Sequence, residues 1–408
     1  MTYDLVVAGA GPGGSAAAAV AAKAGLRVLL IERASFPRDK VCGDAISGKS
    51  VDVLSELGLT GHVAASETID SWGVLFGSPS GAEVEIPFCG DRQAAEAPGY
   101  ICRREVFDEI VARRAVELGA ELREETVVEG LLLEGSSVRG VRLSGGQIAR
   151  APIVIGADGA YSAVARALGF SQLDERHYYA GVRAYFRGVE GFRGRNFLEL
   201  HFLDESIPGY FWIFPMADGR ANVGMGTLSS RIKREDVRLK PLLQSVMEST
   251  RFRDRFQRAE RVGRIRGWGM PLGSAVRTMA GGGWMLVGDA ASLIDPFTGE
   301  GIGNAMVSGS LSADWAVRAH ERRDFSADCL QGYQRDVHRV LGGELRLSDT
   351  LRRMESWRWL LNTVIRKAST NPEVAAAISS MYDDLSARKQ LTSPLFYLKL
   401  LAGRKPAA

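Results

Sequence analysis

Residues 3–32 read YDLVVAGAGPGGSAAAAVAAKAGLRVLLIE. An apolar, partly β-branched run meets a glycine turn, an alanine-rich stretch follows, and a second apolar run closes the segment, so the order is strand, turn, helix, strand. Gly9, Gly11 and Gly14 stand at the strand-to-helix junction in GxGxxG spacing. There the first glycine permits the tight turn, the second lets backbone approach a pyrophosphate, and the third lets helix pack on strand. Pro12, Gly13 and Ser15 complete a turn that aims the positive end of the helix at phosphate. Glu32 ends the second strand, 18 residues after Gly14. A carboxylate there accepts ribose hydroxyls, with Arg33 beside it. The segment predicts a Rossmann-type dinucleotide-binding unit, and its spacing alone does not say which dinucleotide.

The rest of the chain is long enough for two or three structural units: 408 residues, 46% hydrophobic and 24% charged. A formal net charge of +3 is too mild to imply nucleic-acid binding. Cys42, Cys89, Cys102 and Cys329 form no CxxC pair and have no histidine at zinc-ligand spacing, so neither a disulfide framework nor a metal site is expected. His62, His177, His201, His320 and His338 are likewise scattered. No secretion leader precedes the first strand and no long uninterrupted apolar run occurs, so a cytoplasmic protein is expected, with any membrane contact peripheral and at the inner face.

Two later stretches each end a short apolar run with glycine and a carboxylate: IVIGADGAYSAVARALG (Ile153 to Gly169) and GWMLVGDAASLIDPFTGEGIGNAM (Gly283 to Met306). They resemble the Asp-Gly and Gly-Asp segments of the glutathione-reductase-like flavoproteins, and all three motifs stand in the expected order. The resemblance implies FAD. It also implies that Asp289 bonds the ribityl chain, that Gly288, Pro296, Gly299, Gly301 and Ile302 face pyrophosphate and flavin edge, and that Val128 lines the cofactor site. Asp158 and Gly159 either touch FAD or brace their own turn. Arg104-x-x-Phe107-Asp108 resembles the helix start that touches the ribityl hydroxyls in aromatic hydroxylases, with Arg103 as a stand-in for Arg104.

The expected architecture is α/β: a discontinuous Rossmann-type FAD-binding domain (1–71, 100–170 and 276–345), an inserted antiparallel β-sheet substrate domain (72–99 and 171–275) and a C-terminal helical segment (346–408). Residues 72–90 alternate around a Gly-Ser-Pro-Ser-Gly turn, and 178–227 carry several aromatic-rich apolar runs. From Glu235 to Phe256 the pattern becomes helical and charged.

Three stretches narrow the family: FPRDKVCGDAIS (Phe36 to Ser47), PGYFWIFPMADGRANVGMG (Pro208 to Gly226) and DPFTGEGI (Asp295 to Ile302). They resemble the geranylgeranyl reductase family, which reduces isolated double bonds of prenyl chains. The resemblance implies that Cys42, Gly43 and Asp44 lie beside the flavin, with Cys42 and Asp44 as catalytic groups. The competing reading of Cys42 is a small thiol packed behind the flavin. Tyr210, Trp212 and Phe214 share one face of a strand and would wall a prenyl tunnel, or else fill a sheet core.

Flavin halogenases carry WxWxIP where Tyr210 and Phe214 stand here, and need a lysine that this chain lacks between Lys49 and Lys233. An aromatic-hydroxylase-like monooxygenase is the alternative enzyme, though the usual GQG is here Gly299-Glu300-Gly301. A flavoprotein relaying electrons without reducing an alkene is the further alternative. With one GxGxxG unit, no stably bound nicotinamide is indicated, and the donor is left open among NAD(P)H, a ferredoxin and a quinol. The stretch LRRMESWRWLLNTVIRK (Leu351 to Lys367) mixes tryptophan, aliphatic and basic residues as an interfacial helix does. Packing on the flavin domain is its other reading. PLFYLKLLAGRK (Pro394 to Lys405) repeats the mixture.

Overall fold

A computed structural model describes residues 1–46, 48–88, 97–170, 174–193, 196–275, 277–372, 374–375 and 378–379. Cys89 and the stretch Pro394 to Lys405 lie outside them.

The strand Leu5–Ala8 sits at the centre of a six-stranded sheet. It pairs in parallel with Val28–Ile31 on one side and Ile153–Gly156 on the other. Glu121–Arg123 extends the sheet beyond the former and Trp284–Leu286 beyond the latter, both in parallel. Ala280–Gly281 closes the edge antiparallel. The inner strands are buried along their whole length, which is why they read as unbroken apolar runs rather than as alternation.

The helix Pro12–Lys23 is buried on nearly every side, between Ile302–Arg322 and Arg104–Glu117. Its alanines make that possible, since a larger side chain would hold the neighbours off. The approach is closest at Gly13, where a β-carbon on Gly309 of the long helix would run into the Gly13 carbonyl.

A second sheet has seven strands, in the order Glu260–Pro271, Tyr178–Arg187, Arg220–Leu228, Phe211–Pro215, Leu198–His201, Gly73–Gly77 and Glu83–Pro87. Every pairing is antiparallel except that of Leu198–His201 with Gly73–Gly77. The expected hairpin around Ser78–Gly81 forms there. Helices Ser229–Glu235, Leu239–Glu248 and Arg253–Phe256 fill the charged helical stretch. A small sheet of Ala45–Ile46, Tyr100–Cys102 and Thr68–Asp70 lies where the chain passes between the two larger sheets.

The C-terminal segment is helical, in more than one piece. Gly342–Glu355 runs through the boundary expected at 345, and the chain breaks at Ser356 and Trp357 before Arg358–Thr370 begins. The second helix packs on the hairpin strand Glu83–Pro87 rather than on the flavin-type sheet. Ile365 and Ala368 join Val84, Ile86 and Phe202 in one apolar cluster. Trp357 and Trp359 stay more than half exposed. No helix among the described residues is long and apolar enough to cross a membrane.

Candidate functional site

The three glycine turns converge at the carboxyl ends of the parallel strands, where an open α/β sheet binds its ligand. Gly9 has φ +98°, and a β-carbon there would press on the Ala157 carbonyl oxygen at 2.5 Å, so the first turn lies against the Asp158 turn. A β-carbon on Gly14 would meet the Gly9 carbonyl, and one on Gly13 would lie 2.8 Å from the Ala305 carbonyl oxygen. Around Gly11 there is open space. The Ser15 hydroxyl donates to the Ala10 carbonyl (3.1 Å), locking the turn from inside. Gly11 and Gly301 cap their helices without a side-chain hydrogen bond, which leaves the first N–H groups of both helices for another acceptor.

Glu32 is buried and accepts from the N–H groups of Ala10 (3.3 Å) and Ala34 (3.1 Å). Arg33 is exposed beside it. Arg38, which the motif gave no reason to single out, bridges Glu32 (3.1 Å) and Asp108 (2.5 Å). Asp108 also takes both arms of Arg104, at 2.6 and 2.7 Å. Burial alone would raise the Asp108 carboxyl, but the guanidiniums of Arg104 and Arg38 outweigh it and hold it below the ordinary carboxylate range. Arg104 in turn faces the Cys42 side chain. Arg103 points away to Glu67 and Glu105, so only Arg104 reaches the site.

On the far side, Gly288 and Asp289 form a tight turn after Trp284–Leu286, and Asp289 pairs with Lys40 at 3.0 Å. Asp158 accepts from the N–H groups of Ala163 (2.6 Å) and Val164 (3.2 Å), so it does brace its turn by capping the helix Ala163–Ala167. Gly159 has φ +78°. Val128 is buried in the main core at the start of its strand. Asp295 accepts from the N–H groups of Phe297 and Thr298 and so folds the loop Pro296–Gly301 ahead of Ile302. Lys49 ties that loop to the C-terminal helices, reaching Asn304 (2.9 Å), Glu344 (2.9 Å) and Glu300 (3.5 Å). Burial works to depress this lysine, and Glu300, Glu344 and Asp295 outweigh it, so it stays charged.

The Cys42–Asp44 loop meets the seven-stranded sheet. Asp44 has φ +66°, a strained conformation for a residue with a side chain, and is fully buried. Tyr185 (2.7 Å) and Asn222 (2.8 Å) both donate to its Oδ2, while Oδ1 has no hydrogen-bond partner among the described residues. Burial pushes its carboxyl up to about 6, against the pull of Arg183, Tyr185 and Asn222. Asn222 also donates to the Cys42 carbonyl (2.8 Å) and accepts from Trp212 Nε1 (2.9 Å), so one amide orients loop and indole together. Arg183 holds the same loop through Asp39 (2.6 Å) and the Lys40 carbonyl (3.1 Å).

Tyr210, Trp212 and Phe214 form a row with neighbouring ring centroids 6.1 and 6.4 Å apart. A β-carbon on Gly43 would lie 2.9 Å from the Phe214 ring, so the loop seats directly on the row. The Tyr210 hydroxyl donates to the Thr298 carbonyl at 2.5 Å, joining the row to the Pro296–Gly301 loop. Behind it, Glu355 accepts from the Gly209 N–H at 2.6 Å, and burial pushes its carboxyl up to about 8.

These residues suit FAD. The open backbone at Gly11, two helix N-termini without side-chain caps and buried oxygens that lack partners among the described residues at Asp44 and Asp295 belong to a site that expects a large polar ligand.

The FAD binding domain family matches residues 2–345. A menaquinone reductase of Mycolicibacterium smegmatis is 35% identical over 315 residues, 76% of this chain and 75% of that protein. A digeranylgeranylglycerophospholipid reductase of Methanosarcina acetivorans is 34% identical over 359 residues, 85% of this chain and 83% of that protein. The crystal structure of a geranylgeranyl bacteriochlorophyll reductase-like protein of Thermoplasma acidophilum superposes with a TM-score of 0.80 at 27% identity, covering 91% of this chain and 92% of that one. A flavin-dependent brominase superposes with a TM-score of 0.79 at 23% identity, covering 99% of each chain, a likeness of fold alone.

Proposed function

We propose, on the premise that this chain belongs to the FAD-binding oxidoreductase family, that it saturates isolated C=C bonds in a prenyl chain carried by a lipid or quinone. FAD is its cofactor and, once reduced, supplies the hydride. The observation that carries the reading is the seating of the Cys42–Asp44 loop on the aromatic row of Tyr210, Trp212 and Phe214. An apolar wall meets an acid there, as an alkene needs. The names of the menaquinone and digeranylgeranylglycerophospholipid reductases support the substrate class.

In this reading Gly9, Gly11, Pro12, Gly13, Gly14 and Ser15 cradle the pyrophosphate, Glu32 takes the ribose, and Asp289, Gly299, Gly301 and Ile302 receive the flavin half. Asp289, paired here with Lys40, would hold the ribityl chain. The aromatic row excludes water and aligns the prenyl chain. Asp44 holds a proton at mildly acid pH, below its raised value of about 6, because burial disfavours its anion. Being fully buried it cannot reach an alkene itself, whereas the Cys42 thiol is half-buried at the loop surface. Cys42 therefore delivers the proton and Asp44 replaces it.

The lipid gains little by leaving a bilayer, since burying each methylene is worth on the order of 0.8 kcal/mol in either place. Resting the protein on the membrane avoids exposing the chain to water. The exposed pair Trp357 and Trp359, flanked by Arg353 and Arg358, is the proposed contact. Mass spectrometry of lipids and quinones from cells with and without the gene tests the function. The reading requires a prenyl species to lose saturation when the gene is removed, and identical prenyl profiles would refute it.

A further inference from the structure

The chain carries a net charge of only +3, yet residues 251–277 hold eight arginines against Asp254 and Glu260. Three of the eight, Arg261, Arg264 and Arg266, lie on Glu260–Pro271, the edge strand of the seven-stranded sheet, paired only with Tyr178–Arg187 among the described residues. A bulge opposite Arg183 and Tyr185 interrupts the pairing around Arg264. Arg253, Arg258 and Arg266 are 64%, 81% and 58% exposed even though each lies beside a carboxylate (Asp254 at 3.5 Å, Glu190 at 3.7 Å and Asp39 at 3.2 Å), and Arg261 and Arg264 are exposed with them.

The strip runs up to the site. Arg266 pairs with Asp39, the carboxylate that Arg183 also holds, at 3.2 Å. Trp268 packs edge-on against Tyr161, 5.1 Å between centroids, just beyond the Asp158–Gly159 turn. The opposite edge of the same sheet, Glu83–Pro87, is covered by the helix that carries the exposed tryptophans. Seven strands put the two edges about 29 Å apart.

We propose that this arginine edge docks the reductant, an acidic one-electron carrier protein of the ferredoxin type, so that donor and lipid reach one flavin from opposite edges of the sheet. Charge complementarity selects the occupant: a positive strip beside a redox site steers a negative partner and fixes its orientation. Two encounters deliver two electrons, two carriers leave oxidised, and two protons come from solvent, which balances the reduction of one FAD. The inference needs bound FAD and is independent of which alkene is reduced.

Charges on an edge strand also deter edge-to-edge pairing, but glutamate would do that equally well. The test is therefore the full-length holoprotein carrying Arg258→Glu, Arg261→Glu and Arg264→Glu together. Binding of oxidised plant-type [2Fe–2S] ferredoxin is measured by calorimetry at several salt concentrations, and flavin reduction by the reduced ferredoxin is followed by anaerobic stopped flow. Binding and reduction are both expected to weaken at least tenfold in the variant and with added salt, while FAD content and reduction by dithionite stay unchanged. The proposal is overturned if wild type does not bind the ferredoxin, if the variant binds it equally well, if NADH or NADPH reduces the wild-type flavin faster than the ferredoxin does, or if the variant loses anionic vesicles while keeping the ferredoxin. Dithionite-driven reduction of a geranylgeranyl lipid, run on the same samples, reports separately on the prenyl reaction.

Discussion

Glu355 shows how far a single buried group reaches. Its carboxyl ordinarily titrates near 4.5 and is pushed up to about 8. Between those values the folded chain keeps a proton that the unfolded chain has lost, so this residue makes stability fall as pH rises from about 4.5 to 8, and the loss levels off above that. Glu355→Gln keeps an acceptor for the Gly209 N–H and removes the titration. Thermal melts across pH should show the variant gaining on wild type through that window; parallel curves would deny the burial effect. At the reacting end, Cys42→Ala should slow alkene reduction on the order of 100-fold or more, with FAD content unchanged and partial recovery in Cys42→Ser. Unchanged turnover in Cys42→Ala would leave the thiol as packing. Residues inside the quoted motifs were legible before the fold was known: Gly11 and Glu32 stand in a run whose spacing has a meaning, and Cys42 and Asp289 in stretches that a family resemblance singles out. Arg183, Tyr185 and Asn222 were not, because their partners lie some 140 to 180 residues away, at Asp39, Cys42 and Asp44, and only the pairing of Tyr178–Arg187 with Arg220–Leu228 sets them side by side. Arg38 and Lys40, six and eight positions beyond Glu32, stand inside a quoted stretch, but nothing in its spacing points to their partners Asp108 and Asp289.

Elements follow the same division. The first strand, turn and helix were legible because their pattern is local, and the Gly-Ser-Pro-Ser-Gly hairpin for the same reason. The closeness of Pro12–Lys23 to Ile302–Arg322 was not, since Gly309 looks like any helical glycine until Gly13 is found beneath it. Gly309→Ala should wedge these helices apart, costing about 1–3 kcal/mol and loosening FAD. A melting temperature and FAD content equal to wild type would mean that the crossing tolerates a methyl group. The C-terminal segment is helical as expected, but Leu351 to Lys367 spans the end of one helix and the start of the next, because composition records amphipathicity but not a break. The break falls where Glu355 is anchored to Gly209 and Trp357 takes the cap position, after which Ile365 and Ala368 turn inward on the hairpin. What stays outward is narrower than the sequence implied: two tryptophans and their arginines.

Across the whole molecule, two sheets meet at one loop, with the flavin-type sheet supplying glycine turns and the seven-stranded sheet an aromatic row. The order of three glycine motifs along the chain made the first half of that arrangement readable. Which edge of the second sheet carries the proposed lipid contact depends on the fold and not on composition. Trp357→Ala with Trp359→Ala should weaken pelleting with anionic liposomes several-fold while leaving flavin content intact, and equal pelleting would remove this surface as the contact. The most direct trial of the central claim is a single turnover without oxygen. Protein reduced by dithionite is freed of excess reductant and mixed with a geranylgeranyl-bearing lipid or quinone, and flavin absorbance and lipid mass are followed together. The account predicts that the flavin reoxidises as the prenyl chain gains one molecule of hydrogen per turnover. A flavin that stays reduced until air is admitted, or a product that gains oxygen in place of hydrogen, would contradict it.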